Sequence, residues 1–138
     1  MQLAIIYDSR TGTTRAAAEA MGRLAGDAGH RWVTKSVHDA APNEVSAADA
    51  VCIGSWTEGL FFFGQHATKD TMKLIDRLSL HGQPAAVFCT YKTSPGKMLQ
   101  KMAEAMEASG GSVTAQLRSR GPEAPQGFAE WLQSLPRE

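Results

Sequence analysis

Hydroxyl side chains are concentrated in one short segment near the start of the chain, between an apolar run and an alanine-rich run. Residues 9–14 read SRTGTT. The four hydroxyl groups of this segment belong to Ser9, Thr11, Thr13 and Thr14. Gly12 lets a ligand approach the backbone closely, and a helix that begins near Thr13 offers unpaired amides and the positive end of its dipole. This combination predicts a phosphate-binding loop that needs neither a lysine nor a metal ion.

The same segment could instead act only as a helix cap. A cap needs one hydroxyl group, however, and four are present, so the composition favours phosphate binding. Two better-known phosphate motifs are absent from the sequence, because there is no G-x-G-x-x-G and because Gly96-Lys97 is followed by Met98 rather than by Ser or Thr. Arg10 lies within the segment and Arg15 directly follows it, where they either balance the phosphate charge or lie in solvent.

Two further segments carry aromatic residues at the ends of apolar runs. Residues 55–64 read SWTEGLFFFG, and residues 90–97 read TYKTSPGK. Trp56 and Tyr91 therefore lie close to the ends of two predicted strands, where their rings could stack on a flat ligand or pack as core or lid residues. The triplet at residues 61–63 either packs under the following helix or forms a wall of the ligand site.

The elements that would position these segments alternate along the chain. The sequence predicts strands at residues 3–7, 31–37, 50–54, 84–89 and 112–117. It predicts helices at residues 14–24, 65–80, 97–109 and 128–135, with a short helix or turn at residues 42–45. Such alternation predicts an α/β fold with a parallel sheet and helices on both of its faces. Ligands of such sheets bind beyond the carboxyl ends of the strands, so the three segments should meet there.

The overall composition is that of an ordinary globular protein. A length of 138 residues with 43% hydrophobic residues predicts one domain spanning residues 1–138. The 14 basic and 14 acidic residues balance, which argues against nucleic acid or an anionic membrane as a partner. We see no signal peptide and no apolar run of about 20 residues, and we predict a cytoplasmic protein. Cys52 and Cys89 lie in apolar runs and are expected to be buried, reduced thiols without metal-ligand spacing.

The segment Ser9-Arg10-Thr11-Gly12-Thr13-Thr14, placed after an apolar strand, resembles the flavodoxin motif, roughly [ST]-x-T-G-x-T. The resemblance extends over the whole chain and includes the Gly54-Ser55 pair that ends the third strand. It implies a flavodoxin-like fold, a doubly wound five-stranded parallel sheet of strand order 2-1-3-4-5 in a three-layer α/β/α arrangement. The absence of an insertion in the fifth strand is similar to the short-chain form. The implied cofactor is FMN, with its phosphate held by the first loop.

The resemblance also implies which residues contact the cofactor. In flavodoxins an aromatic residue after the third strand covers one face of the flavin ring, and a tyrosine after the fourth strand often covers the other. The implied FMN contacts are Ser9, Arg10, Thr11, Gly12, Thr13 and Thr14 in the first loop, Ser55, Trp56, Thr57, Glu58 and Gly59 in the second, and Thr90, Tyr91 and Gly96 in the third. No catalytic residue and no metal ligand is predicted.

The third loop departs from the flavodoxin pattern, because the acidic segment of many electron-carrying members is missing. Lys92 and Lys97 lie there instead, and Glu58 is the single acid of the second loop. Since nearby positive charge favours the anionic reduced flavin, we expect a flavin that is fully reduced more easily than in a typical flavodoxin.

Three functions remain open from the sequence. The favoured one is an FMN-dependent electron carrier, a monomer or weak dimer, that works between an NAD(P)H-dependent reductase and an acceptor enzyme. The second is an FMN-dependent oxidoreductase of the quinone reductase, nitro reductase or porphyrinogen oxidase type. The third is a flavin-free domain that uses the phosphate loop for binding or protein contact.

Overall fold

Five parallel strands form the central sheet of the computed structural model, which describes residues 1–60 and 63–136. The strands of the chain are β1 (Gln2–Asp8), β2 (Arg31–Ser36), β3 (Ala50–Trp56), β4 (Glu58–Leu60), β5 (Phe63–His66), β6 (Pro84–Thr90) and β7 (Ser112–Ser119). The helices are α1 (Thr13–Asp27), α2 (Pro42–Ser46), α3 (Lys69–Arg77), α4 (Met98–Ala108) and α5 (Phe128–Ser134).

The order of the strands in the sheet is β2-β1-β3-β6-β7, and all neighbours are parallel. When the small β4–β5 hairpin is left out of the numbering, this is the predicted order 2-1-3-4-5, so the predicted fold is confirmed. The last strand runs without an insertion. Among the described residues, no helix has the length and apolar character needed to cross a membrane.

Helices cover both faces of the sheet and make the three layers. On one face, α3 and α4 bury Ile75 and Met102 against the strands. On the other face, α1 buries Met21 and α5 buries Phe128. Since the central strands are covered on both sides, they consist of continuous apolar runs, as is typical of parallel sheets.

Gly54 in β3 is explained by its neighbour in the sheet. It is paired with Phe88 of β6, a side chain that is fully buried. A Cβ atom on Gly54 would overlap the Phe88 ring, closer than any side chain can approach. The glycine therefore makes room for the ring directly below the carboxyl edge of the sheet.

The segment after β3 is more regular than the sequence analysis predicted. Residues 55–64 were expected to form a loop, but Ser55 and Trp56 are the last residues of β3, and the chain then forms the antiparallel β4–β5 hairpin, in which Glu58 is paired with His66. Of the phenylalanine triplet, residues 61 and 62 lie outside the described residues, and the Phe63 side chain is likewise not described, so both interpretations of the triplet remain predictions.

The helix predicted at residues 65–80 is shorter than expected. It begins only at Lys69, because the Thr68 side chain accepts a hydrogen bond from the Thr71 amide (3.2 Å) and so acts as its N-cap. It ends at Arg77, because Leu78 has an extended backbone conformation. The four residues at the predicted helix start belong instead to the hairpin and to the connection that follows it.

Candidate functional site

A cavity of about 520 Å³ opens at the carboxyl edge of the sheet, where the predicted ligand loops meet. Such a volume is typical of a site for a small organic ligand. Its walls are formed by Arg10, Thr11, Thr13, Thr14, Trp56, Thr57, Gly59, Gln65, Thr90, Tyr91, Lys92, Thr93, Ser94 and Arg120. The chain thus brings four separate segments and a hairpin residue to one site.

The first wall is the start of α1, which no side chain caps. Its N-cap residue is Gly12, which has a left-handed backbone with a φ of 94°, and the first turn of the helix has no acidic residue. The helix-capping alternative for residues 9–14 therefore lacks the hydrogen bond on which it depends. The amides of the first turn have no partner within the helix, so this end of α1 offers donors and a positive dipole to an anion.

The hydroxyl groups of the first loop have different environments. Ser9 Oγ accepts a hydrogen bond from the Gly12 amide (3.1 Å) and so holds the loop in its bent shape. The buried Thr14 hydroxyl lies 2.7 Å from the hydroxyl of Thr90. Among the described residues, the hydroxyl groups of Thr11 and Thr13 have no hydrogen-bond partner, although both line the cavity. These two groups are therefore available to a ligand.

Two aromatic rings line the cavity, and an arginine lies over each of them. The Arg10 guanidinium carbon is 5.4 Å from the centre of the Trp56 ring. The Arg120 guanidinium carbon is also 5.4 Å from the centre of the Tyr91 ring, and Arg120 Nε donates to the Tyr91 hydroxyl at 3.4 Å. Because a flat cation and a flat conjugated ligand use the same ring faces, both rings are suited to stacking.

Hydrogen bonds below the cavity connect the second loop to the third. The Thr57 hydroxyl donates to the Thr90 carbonyl oxygen (2.9 Å), and the Thr57 amide donates to the same oxygen at 3.2 Å. The buried Ser55 hydroxyl donates to the Trp56 carbonyl oxygen (2.7 Å) and accepts from the Thr68 amide (3.1 Å). These contacts fix the positions of Trp56 and Thr90 before any ligand is present.

The family is decided by a sequence comparison over nearly the whole chain. The model of the family described as flavodoxin matches residues 5–131. The chain belongs to the flavodoxin family. The family and the fold support a flavoprotein that acts as an electron carrier, and flavodoxins in general work with redox partner proteins. No curated protein matches this flavodoxin in sequence.

Solved flavodoxin structures have the same fold at low sequence identity. The two-electron reduced flavodoxin of Megasphaera elsdenii superposes with a TM-score of 0.78 at 20% identity, covering 94% of each chain. The flavodoxin of Streptococcus pneumoniae TIGR4 gives a TM-score of 0.76 at 16% identity, covering 96% of this chain and 93% of that one. A flavodiiron core from Synechocystis gives a TM-score of 0.71 at 20% identity, but only 36% of that longer chain is covered.

The structure brings most of the predicted contact residues of this flavodoxin to the cavity. The predicted residues that line it are Arg10, Thr11, Thr13, Thr14, Trp56, Thr57, Gly59, Thr90 and Tyr91. The predicted residues that do not line it are Ser9, Gly12, Ser55, Glu58 and Gly96. Ser9 and Ser55 use their hydroxyl groups to hold the backbone. Glu58 belongs to the hairpin, and Gly96 lies against the Gln65 side chain.

The sequence analysis missed several lining residues. These are Gln65, Lys92, Thr93, Ser94 and Arg120. Lys92, Thr93 and Ser94 belong to the predicted third loop, so their segment was expected but their contact with the cavity was not. The sequence did not indicate Arg120, because this residue follows the fifth strand of the sheet and only the loops after the first, third and fourth strands were expected at the site.

The described lining of the cavity has cationic side chains and no acidic one. Arg10, Lys92 and Arg120 contribute the cations. Arg15, the other arginine near the first loop, donates instead to Glu19 at 2.9 Å, and this hydrogen bond raises the Arg15 pKa. The electrostatic environment of the cavity therefore favours an anionic ligand.

Beside the first loop, Asp8 has a supporting position rather than a place in the cavity. This buried carboxylate accepts a hydrogen bond of 2.5 Å from the Thr68 hydroxyl. His38 lies between two carboxylates, with Nε2 at 3.7 Å from Asp8 and Nδ1 at 3.8 Å from Asp70. The three side chains have atoms that could ligate a metal ion within 4.8 Å of one another. Each carboxylate faces a different nitrogen of His38, however. This is the arrangement of a histidine that bridges two carboxylates rather than of three ligands around a common ion.

Proposed function

We propose that this flavodoxin binds FMN in the cavity and carries electrons between an NAD(P)H-dependent reductase and an acceptor enzyme. The observation that carries the proposal is the position of the uncapped start of α1 on the same cavity as the Trp56 and Tyr91 rings. The phosphate would lie at the first loop, and the flavin ring would lie near the two aromatic rings. One cavity thus has donors for the charged end of the cofactor and flat surfaces for its ring.

The bound cofactor would supply a group that accepts and returns electrons, and the protein would supply position and electrostatics. Thr11, Thr13 and the amides of the first turn of α1 would bind the phosphate. Trp56 and Tyr91 would stack on the ring and exclude water from its faces. Backbone groups of the third loop would hydrogen-bond the ring carbonyls. No side chain of the chain is needed as an acid, base or nucleophile in this proposal.

The test of FMN binding is the absorption spectrum of the purified protein before and after FMN is added and excess is removed by dialysis. We expect retained flavin bands and quenched flavin fluorescence. A Trp56→Ala variant should retain more of the fluorescence, because the stacked ring that quenches it is removed. A protein that retains no FMN would contradict the proposal and favour a flavin-free binding domain.

The test of electron carriage is NAD(P)H consumption by the FMN-loaded protein alone. A carrier should consume NAD(P)H only when a reductase is added. Rapid consumption without a reductase, with a quinone or nitro compound as acceptor, would contradict the carrier function and favour an FMN-dependent oxidoreductase. A flavin-free preparation of the same protein is the matched control, because it separates flavin chemistry from a contaminating enzyme.

A further inference from the structure

Four cationic side chains belong to the two segments that supply one side of the cavity wall, the segment from β6 to the start of α4 and the end of β7. Two of them, Lys92 and Arg120, line the cavity, while Lys97 is the N-cap residue of α4 and Arg118 lies in β7. We name this group the basic rim. We propose that the basic rim is the docking surface for a redox partner protein that presents an acidic surface. This inference rests on the proposed function, because it assumes that the cavity holds the electron-carrying cofactor.

The charges of the basic rim are free to meet a partner. All four side chains are exposed, and none of them forms an ion pair within the described part of the chain. Arg120 alone has a polar contact, to the uncharged hydroxyl of Tyr91. Within the described residues, their cationic groups are therefore not neutralised by an acidic side chain.

Few acidic groups lie near the basic rim. Residues 91–97 and 118–120 contain no Asp or Glu, and the acidic residues of the adjoining segments are Glu58 in the hairpin and Glu123 in the loop after β7. Over the whole chain the 14 basic and 14 acidic residues balance. The basic rim is therefore a local surplus in a neutral protein, and such an asymmetry orients a charged partner as it approaches.

The basic rim and the proposed phosphate position belong to different segments of the cavity wall. The first loop, with Arg10, forms the wall at the start of α1, whereas the basic rim lies on the loop after β6 and on the end of β7, beside Tyr91. The phosphate charge would thus be met by the first loop, and the basic rim would keep its charge when the cofactor is bound. A partner that receives electrons must approach the ring near Tyr91, so the basic rim lies where a complementary acidic surface would dock.

The test measures the equilibrium binding of two haem proteins, acidic cytochrome b5 and basic cytochrome c, by NMR titration. Both haem proteins are kept in the ferric state and the flavodoxin is kept oxidised, so that binding is measured without electron transfer. We expect tighter binding of cytochrome b5 at about 20 mM salt, and a fall in its affinity of about tenfold at about 200 mM salt. Stronger binding of cytochrome c, or an affinity for cytochrome b5 that salt does not change, would overturn the proposal.

Variants separate docking from flavin binding. Lys97→Gln and Arg118→Gln change the basic rim without touching the cavity lining, and together they should weaken cytochrome b5 binding severalfold while FMN is retained. Lys73→Gln, an exposed change on α3 outside the basic rim, is the matched control and should have no effect. Equal effects of the rim variants and the control would overturn the proposal.

Three outcomes distinguish the possible failures. If the protein retains FMN but binds cytochrome c more tightly, the proposal of an acidic partner is wrong, while the proposed function still stands. If the protein retains no FMN, the proposed function is wrong, and the docked protein is then not assigned as a redox partner. Tighter binding of a short DNA duplex than of cytochrome b5 at the same salt would overturn the proposal in favour of a nucleic-acid surface.

Discussion

The hydroxyl oxygens of Thr14 and Thr90 lie 2.7 Å apart in the protein interior. Thr14 is in the first turn of α1, and Thr90 is the last residue of β6, so this contact joins the first ligand loop to the third across 76 positions of sequence. Because Thr90 also accepts two hydrogen bonds from Thr57 through its carbonyl oxygen, all three predicted ligand loops meet at this residue.

Replacing the hydroxyl residues of the first loop tests the phosphate position. Thr11→Ala and Thr13→Ala should each weaken FMN binding, because a hydrogen bond to a charged group is worth about 1.5–3 kcal/mol, which is about tenfold to about 150-fold in Kd. Thr14→Ala should instead lower the free energy of unfolding of the flavin-free protein by about 1 kcal/mol, since it removes the partner of Thr90. Thr11→Ala should leave that stability unchanged.

The measurements are fluorescence titration with FMN and urea denaturation of the flavin-free protein. Thr14→Ser keeps the hydroxyl group and is the control for the effect on stability. If FMN affinity is unchanged in Thr11→Ala and in Thr13→Ala, the phosphate does not lie at the first loop.

The charge of the cavity mouth should raise the potential at which the flavin takes its second electron. The fully reduced flavin is anionic, so nearby cations favour it. Lys92→Gln and Arg120→Gln should each lower the second midpoint by about 20–40 mV, the equivalent of about 0.5–1 kcal/mol for charges near a protein surface. Lys73→Gln should leave the midpoint unchanged. A potentiometric titration that finds the second midpoint as low as in acidic flavodoxins would contradict this expectation.

The buried thiols should make stability depend on alkaline pH. Burial raises the pKa of Cys89 from 9.0 to about 12, an effect that Thr57 and Arg118 only partly offset, and burial also raises the pKa of Cys52. Above about pH 9 the unfolded chain loses these protons first. The stability contributed by each thiol is therefore complete below pH 9 and is lost as pH rises toward the folded pKa, at about 1.4 kcal/mol per pH unit.

Urea denaturation between about pH 9 and about pH 11 measures this slope. Cys89→Ala should cost stability at about pH 9, because it leaves a small cavity, and this cost should shrink as pH rises, because the variant has a shallower slope. Cys52→Ala should act in the same way. Equal slopes in the parent protein and in both variants would show that the thiols do not cause the alkaline loss.

The close approach of Gly54 and Phe88 predicts a strong coupling between these positions. Gly54→Ala should lower the free energy of unfolding by about 1–3 kcal/mol, because the added methyl group has no space beside the ring. Phe88→Leu alone should also destabilise the protein by leaving a cavity. In the double variant the smaller side chain makes room for the methyl group, so the two costs should not add. A double-mutant cycle from chemical denaturation measures the coupling, and strictly additive costs would contradict it.

Much of the fold could be predicted from the sequence because its elements are strongly patterned. The continuous apolar runs of the central strands and the alternation with helices permit few topologies, and the observed strand order is the predicted one. The position of the first loop between β1 and α1 was also predicted, because its composition differs so much from that of an ordinary helix start, whereas its binding of a phosphate stays a prediction. The hairpin was missed because residues 55–66 have no period-two alternation and no two-residue turn motif.

Two details of the site depend on contacts that no local pattern encodes. The start of α3 is set by Thr68, whose hydroxyl also donates to Asp8, a residue 60 positions away in the chain. Arg120 reaches the cavity because β7 continues to Ser119, two residues beyond the predicted end of that strand, where the Tyr91 amide donates to the Ser119 carbonyl oxygen (3.1 Å). Contacts between distant segments decided both outcomes, and such contacts are not visible in a single segment.

The dispersion of the cavity lining along the chain has a consequence for biosynthesis. Lining residues come from the first loop, from the β3 end, from the β6 end and finally from Arg120, which follows the last strand of the sheet. A nascent chain that ends before residue 120 lacks part of this wall, even if its first four sheet strands have already paired. Ligand capture should therefore begin only after residue 120 has left the ribosome, so flavin absorption would report assembly of the complete cavity rather than early folding.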